Sequence, residues 1–173
     1  MSVTAKLQAR FGFLQVGSHD LGGPELDATL EKILNFTNGT GANEADIVWA
    51  DRRTIAASTS EDLDLAGVLT DAFGATINAA EVVAILVIAA AANTNNVVLG
   101  GAAAPVPLFG GDGATAVDDP TFAVKPGGFF FVAAPNAAGL FTVGAGTTDD
   151  LKVANSGGTT GVTYDIAILA RSA

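Results

Sequence analysis

The chain has 173 residues, 49% of them hydrophobic and 15% charged, with no Cys and a formal net charge of −10. That length suits one domain that buries about two-thirds of the surface its unfolded chain exposes. Disulfides, thiolate metal sites and Cys nucleophiles are excluded together, and direct nucleic-acid binding is disfavoured because Lys and Arg are missing between Thr54 and Val124.

Residues 1–35 read as an N-terminal arm. Met1–Gln15 has no continuous apolar stretch and no small-residue cleavage pattern, so no signal peptide is expected. Leu7–Val16, with Phe11, Phe13 and Val16 among polar residues, reads as an extended segment that docks on a partner. Beyond the break at Leu21-Gly22-Gly23-Pro24, the spacing of Leu26, Leu30, Ile33 and Leu34 fits either a short helix or a strand.

Residues 36–173 carry the vocabulary of strands and turns. Asn38-Gly39-Thr40-Gly41 is a turn, followed by a strand over Asp46–Asp51 with Trp49 as its largest packing residue. Ser58–Leu65 alternates, with Leu63 and Leu65 on one face and Asp62 and Asp64 on the other. Val82–Ile88 is rich in β-branched residues and favours a strand buried on both faces over a helix, which the Ala-rich flanks leave as the lesser alternative. The apolar run Val82–Ala92 is too short for a membrane helix, which needs about 20 residues. Val97–Leu99 is short, and Gly100–Pro120 reads as a long Gly/Ala/Pro connection of the kind that is either disordered or makes contacts. Strands are then predicted over Phe122–Lys125, Phe129–Val132, Leu140–Val143, Asp150–Ala154 and Val162–Leu169. Such short strands, with turn signals between them, predict an all-β antiparallel β-sandwich, jelly-roll-like, with an extended N-terminal arm.

No constellation of residues assembles into an active site, so no enzyme, cofactor or metal is expected. His19-Asp20 lacks a nucleophile motif. Asp62 and Asp64, with Glu61, lack the Gly and distal Glu of a calcium loop, and the two Asp read as a solvated face. Gly144-Ala145-Gly146 lacks the third Gly of a dinucleotide fingerprint. The residues that stand out instead suit an interface: Phe11, Phe13, Trp49, the pair Arg52-Arg53, Phe109, and Phe129 and Phe131 from a run of three aromatics. Pairing of Arg52 and Arg53 with Asp46 or Asp51 is the plainer reading of those cations. A mean hydropathy of +0.43 also favours a surface shared with another subunit.

The stretches Asn38–Asp46, Asp51–Ala56, Ser60–Gly67 and Leu69–Ile77 resemble a group of small structural proteins of tailed bacteriophages and prophages. The likeness continues through Asn93–Val97, Val124–Gly128, Ala133–Pro135, Leu151–Asn155 and Thr163–Ile166, and so covers residues 36–173. It implies a virion structural protein, similar to capsid decoration (cement) proteins, that is assembled in the host cytoplasm and sits on the phage head. The partners implied are the major capsid protein and further copies of the chain, as a dimer or trimer, with no membrane involved. A tail, head-fibre or adaptor component is the alternative, and a carbohydrate-binding module is poorly served by one Trp and one Tyr.

Overall fold

The computed structural model describes residues 2–109 and 120–173. Two long strands, β1 (Ala5–Val16) and β2 (Glu25–Phe36), come first and pair antiparallel from Ala5↔Phe36 to Val16↔Glu25. The segment over 25–34 is therefore strand throughout, and the arm is a two-stranded ribbon rather than a single extended segment.

Among the described residues eleven further strands follow: β3 (Ile47–Ile55), β4 (Ser60–Asp64), β5 (Ala66–Thr70), β6 (Thr76–Asn78), β7 (Glu81–Ala89), β8 (Val97–Leu99), β9 (Phe122–Val124), β10 (Phe129–Ala133), β11 (Phe141–Thr142), β12 (Asp150–Asn155) and β13 (Val162–Arg171). One sheet has the order β10-β7-β13-β3, with β11 also on β7, and the other has the order β4-β12-β8-β9. Every named strand pair is antiparallel. The two sheets face each other as a β-sandwich. Trp49, Ile85, Val87, Tyr164, Ile166 and Ile168 of the first meet Leu63, Val97, Leu99, Val124, Leu151 and Val153 of the second in one core. The long connection expected over Gly100–Pro120 falls partly on residues 110–119, outside the described residues. Its described part holds a single 3-10 turn at Pro107–Phe109. Among the described residues no helix is long and apolar enough to cross a membrane.

β7 is buried along most of its length because each of its faces has its own cover. Val82, Ile85 and Val87 enter the sandwich core. Val83 and Ala84 belong to a second, smaller cluster with Val3, Phe36, Ala45 and Leu169, against which Ala5, Leu7, Leu34 and Ala133 pack. The base of the ribbon thus lies on the outer face of the first sheet. A buried cation braces this junction. Arg171, fully buried at the end of β13, donates from Nε to the Glu44 carbonyl at 2.9 Å and from its two Nη atoms to the Glu81 carboxylate (3.0 Å) and the Ala137 (2.8 Å) and Asn136 (3.0 Å) carbonyls.

Candidate functional site

Strand alternation gives the ribbon two unlike faces. The register pairs Leu7 with Leu34, Ala9 with Lys32, Phe11 with Leu30, Phe13 with Ala28 and Gln15 with Leu26, so these residues share one, mainly apolar, face. The other carries the polar residues Lys6, Gln8, Arg10, Thr29, Glu31 and Asn35, with Arg10 directly opposite Glu31, together with the exposed Leu14, Val16 and Ile33. Among the described residues the apolar face is covered only at its base. Beyond Leu7 and Leu34 it stands open, with Phe11 66% and Leu30 68% exposed and the Phe11 and Phe13 ring centroids 5.8 Å apart. At the tip the Gly17 amide donates to the Pro24 carbonyl at 2.7 Å, and a Cβ on Gly23 would sit 2.7 Å from the Gly17 carbonyl oxygen, so the turn requires glycine there.

The apolar face of the ribbon overhangs a second bare surface. On the outer face of the first sheet the register aligns Phe131, Leu86, Ala167 and Ala50 across four strands, and beside them Phe129, Ile88, Asp165 and Arg52. Phe129 is 69% exposed and Ile88 is 42% exposed. An open groove of about 570 Å³ separates Phe129 and Phe131 from Phe11 and Leu30 of the ribbon. A neighbouring recess of about 460 Å³ lies over Ala50 and Ala167 between Leu86, Ile88 and the Arg52–Asp165 pair.

The structure brings Phe11, Phe129 and Phe131 to this one groove, with Phe13 further out on the same ribbon face and Arg52 at the edge of the adjoining recess. Arg52 is held by Asp165 through two hydrogen bonds of 2.6 and 2.8 Å, which raise the guanidinium pKa and lower that of the carboxylate. Phe109 is elsewhere. Half-buried, it packs with its centroid 5.7 Å from Phe130, the inward-facing member of the aromatic run, which also meets Phe122 at 5.3 Å.

Trp49 has to be reassigned. It is 3% exposed and belongs to the sandwich core, because β3 alternation turns Trp49 and Ile55 inward together. Arg53 shares that side, where its guanidinium carbon lies 6.0 Å from the Trp49 ring centroid. It is bound by Glu61 at 2.5–2.7 Å and by Asp51 at 2.9 Å, and the Glu61 hydrogen bond is the main cause of its raised pKa. The Tyr164 hydroxyl donates to the other Glu61 oxygen at 2.8 Å, and burial, more than this bond, pushes the phenol pKa up. Tyr164, Glu61, Arg53 and Asp51 therefore form a closed network that joins the two sheets at one end. Of the expected partners Asp51 takes Arg53, whereas Asp46 is engaged by Ser172.

The other polar candidates are satisfied locally. His19 lies exposed at the ribbon tip, where its Nδ1 accepts the Leu21 amide at 3.2 Å. A pocket of about 580 Å³ between β3 and the β5–β6 hairpin contains Asp46 and Asp71, but Asp71 accepts the Phe73 and Ala75 amides and Asp46 the Ser172 amide. Asp150 lies directly across from Asp64. Burial first, then Asp149, Asp62 and Asp64, raises its pKa. Among the described residues no three His, Asp or Glu side chains are grouped to hold a metal; Asp118 and Asp119 lie outside them. No family model, curated protein or solved structure matches the chain.

The β5–β6 hairpin, with Phe73 at its exposed turn, had no clear signal in the sequence. Asp71 and Gly74 were the available clue, since the Asp side chain caps the turn and Gly74 has φ +82°.

Proposed function

We propose that this chain is a virion structural protein of a tailed bacteriophage, a head decoration protein that oligomerises and stabilises the shell by bridging subunits of the major capsid protein. The observation that carries this reading is the projecting ribbon with a bare apolar face. A two-stranded hairpin is marginal in water on its own, and exposed apolar patches of this kind mark contacts with other macromolecules. The ribbon is a contact device that lacks its partner.

Two features support the reading further. Counting the eight principal strands of the sandwich in chain order, the sheets run 1-8-3-6 and 2-7-4-5. We take this as the order of two Greek keys forming a jelly roll, an architecture that recurs in viral shell proteins. The resemblance of residues 36–173 to phage structural proteins points the same way. The mechanism is adhesion rather than chemistry: each copy contributes a modest contact, and repetition over a symmetric shell sums them.

The test uses heads of the encoding phage stripped of decoration. Purified protein should bind them to a saturating stoichiometry and raise the temperature at which they disrupt. A shortened variant, with Arg10 joined to Glu31 through an Asn-Gly turn, keeps the packed base of the ribbon and should fold yet bind at least about tenfold more weakly. If the full chain fails to bind, the decoration role is wrong and the tail becomes the place to look. If the shortened variant binds fully, the ribbon is not the adhesive element.

A further inference from the structure

We propose that the distal half of the ribbon docks on the bare outer face of the β10-β7-β13-β3 sheet of a second copy of this chain, so that copies exchange ribbons. The inference rests on reading the chain as an assembly protein, and it names the partner of the apolar face; the ribbon tip and backbone edges remain free to reach the shell.

Three observations select a second copy. First, the contact already exists in miniature within one chain. The base of the ribbon, through Ala5, Leu7, Leu34 and Phe36, packs on Ala84, Leu169 and Ala133 of the same sheet face. The next rows of that face, Phe131-Leu86-Ala167-Ala50 and Phe129-Ile88, are the same kind of surface left uncovered, and the next residues of the ribbon, Ala9, Phe11, Phe13 and Leu30, are the same kind of surface left unplaced. The chain's own ribbon does not fill the space, since the groove beneath Phe11 is open. A ribbon from a neighbour therefore extends an interface whose chemistry the fold already uses.

Second, the shapes are complementary. The bulky residues Phe11, Phe13 and Leu30 stand on the ribbon, whereas Ala50 and Ala167 make a shallow floor on the sheet beneath a recess of about 460 Å³. The open ribbon spans the eight pairs from Ala9↔Lys32 to Val16↔Glu25. At about 3.4 Å per residue and a width of about 10 Å, it presents roughly 270 Å². Two reciprocal contacts, each covering ribbon and sheet, bury roughly 1,100 Å² in all, close to the lower end of specific interfaces.

Third, charge favours this contact over others between copies. The docking part of the ribbon, residues 9–32, carries two cations, Arg10 and Lys32, against four anions, Asp20, Glu25, Asp27 and Glu31, a net −2, so most of the net −10 falls on the rest of the chain. Two strongly acidic bodies repel, whereas a weakly charged ribbon approaches one at a smaller cost.

The experiment is the solution mass of the full chain by light scattering coupled to size exclusion. The wild type should run as an oligomer of the 17.2 kDa chain at about 100 μM, well above a micromolar Kd. Phe11→Asp on the ribbon and Ala167→Arg or Ala50→Arg on the sheet should each shift it to monomer. Leu14→Asp, on the opposite ribbon face, should leave the mass unchanged. Urea unfolding of each variant separates loss of association from loss of fold. The proposal is overturned by a monomeric wild type, by a Phe11→Asp chain that keeps its mass, or by sheet variants that fold and remain oligomeric while Phe11→Asp does not. Head binding is scored separately. An oligomer that ignores heads removes the decoration role and leaves ribbon exchange standing, and a monomer that binds heads does the reverse.

Discussion

Arg171 offers the sharpest test of how the ribbon is anchored. Its guanidinium is fully buried and donates to the carbonyls of Glu44, Asn136 and Ala137 and to the Glu81 carboxylate, at 2.8–3.0 Å. Arg171→Met keeps much of the apolar volume but removes every donor. Glu81, 26% exposed, recovers water, while the carbonyls near the junction lose a partner at about 1 kcal/mol or more each. Counting the lost ion pair as well, the expected destabilisation is about 3–5 kcal/mol. For a chain of this size that lowers Tm by roughly 6–20 °C. Arg171→Lys retains charge but not the planar fork, and should fall about midway. The assay is urea unfolding at fixed protein concentration, read by the emission of Trp49, the single tryptophan and a core residue. An Arg171→Met chain within about 1 kcal/mol of wild type at an unchanged m-value would refute the argument.

Tyr164 is the only tyrosine, so its ionisation can be followed directly by phenolate absorbance. Burial holds its pKa above the ordinary value. Above pH about 10 the unfolded chain loses a proton that the folded chain keeps, so stability should fall with rising pH by about 1.4 kcal/mol per unit from this group. A phenolate signal with a midpoint near 10 while Trp49 emission stays native would contradict the buried assignment. Asp150→Asn should stabilise the fold at pH 7 by a few tenths of a kcal/mol, the size expected for a half-exposed charge. The raised Asp150 pKa means its stability contribution is intact below the unfolded value near 3.9 and is lost as pH rises through the folded one. The advantage of the variant should therefore vanish near pH 3, and its persistence there would point to another cause. Ribbon exchange between acidic chains should tighten when salt is raised, because apolar contact survives screening and repulsion does not; weakening with salt would indicate an electrostatic contact.

Much of the sandwich was legible because buried strands announce themselves. Val82–Ile88 carried both its strand character and its two-sided burial in β-branched residues, and the alternation Leu63, Leu65 against Asp62, Asp64 placed β4 correctly. The ribbon was harder for a specific reason. Leu26 and Leu30 are four residues apart, a spacing near one helical turn and also two strand periods, and Ile33 beside Leu34 broke the alternation that would have decided between them. Only the register with β1 resolves it. Trp49 misled by size. A large aromatic beside two cations suits an interface, but its position relative to Ile55 puts it inward, and Arg53 shares its side to meet Glu61. The groove itself was out of reach, since Phe11, Phe129 and Phe131 are joined only by the attitude of the ribbon over the sheet, a tertiary fact that no local pattern encodes.

That attitude is fixed by packing at the base, and this bears on how the ribbon can work. A flexible arm loses conformational freedom when it binds, at about 1–2 kcal/mol per ordered residue, and twenty such residues would exceed what a contact of this size returns. Here the ribbon is ordered by its own ladder and cantilevered from the cluster of Val3, Phe36, Val83 and Leu169, with Arg171 tying β13 to the loops on either side of that junction. Most of the ordering cost is met in folding the monomer. What remains on association is the gain from covering Phe11, Phe13 and Leu30, which is why a surface that small can suffice. The same reasoning makes the junction as important as the face: loosening the base returns the ribbon to a flexible arm and weakens assembly without touching a single residue of the contact.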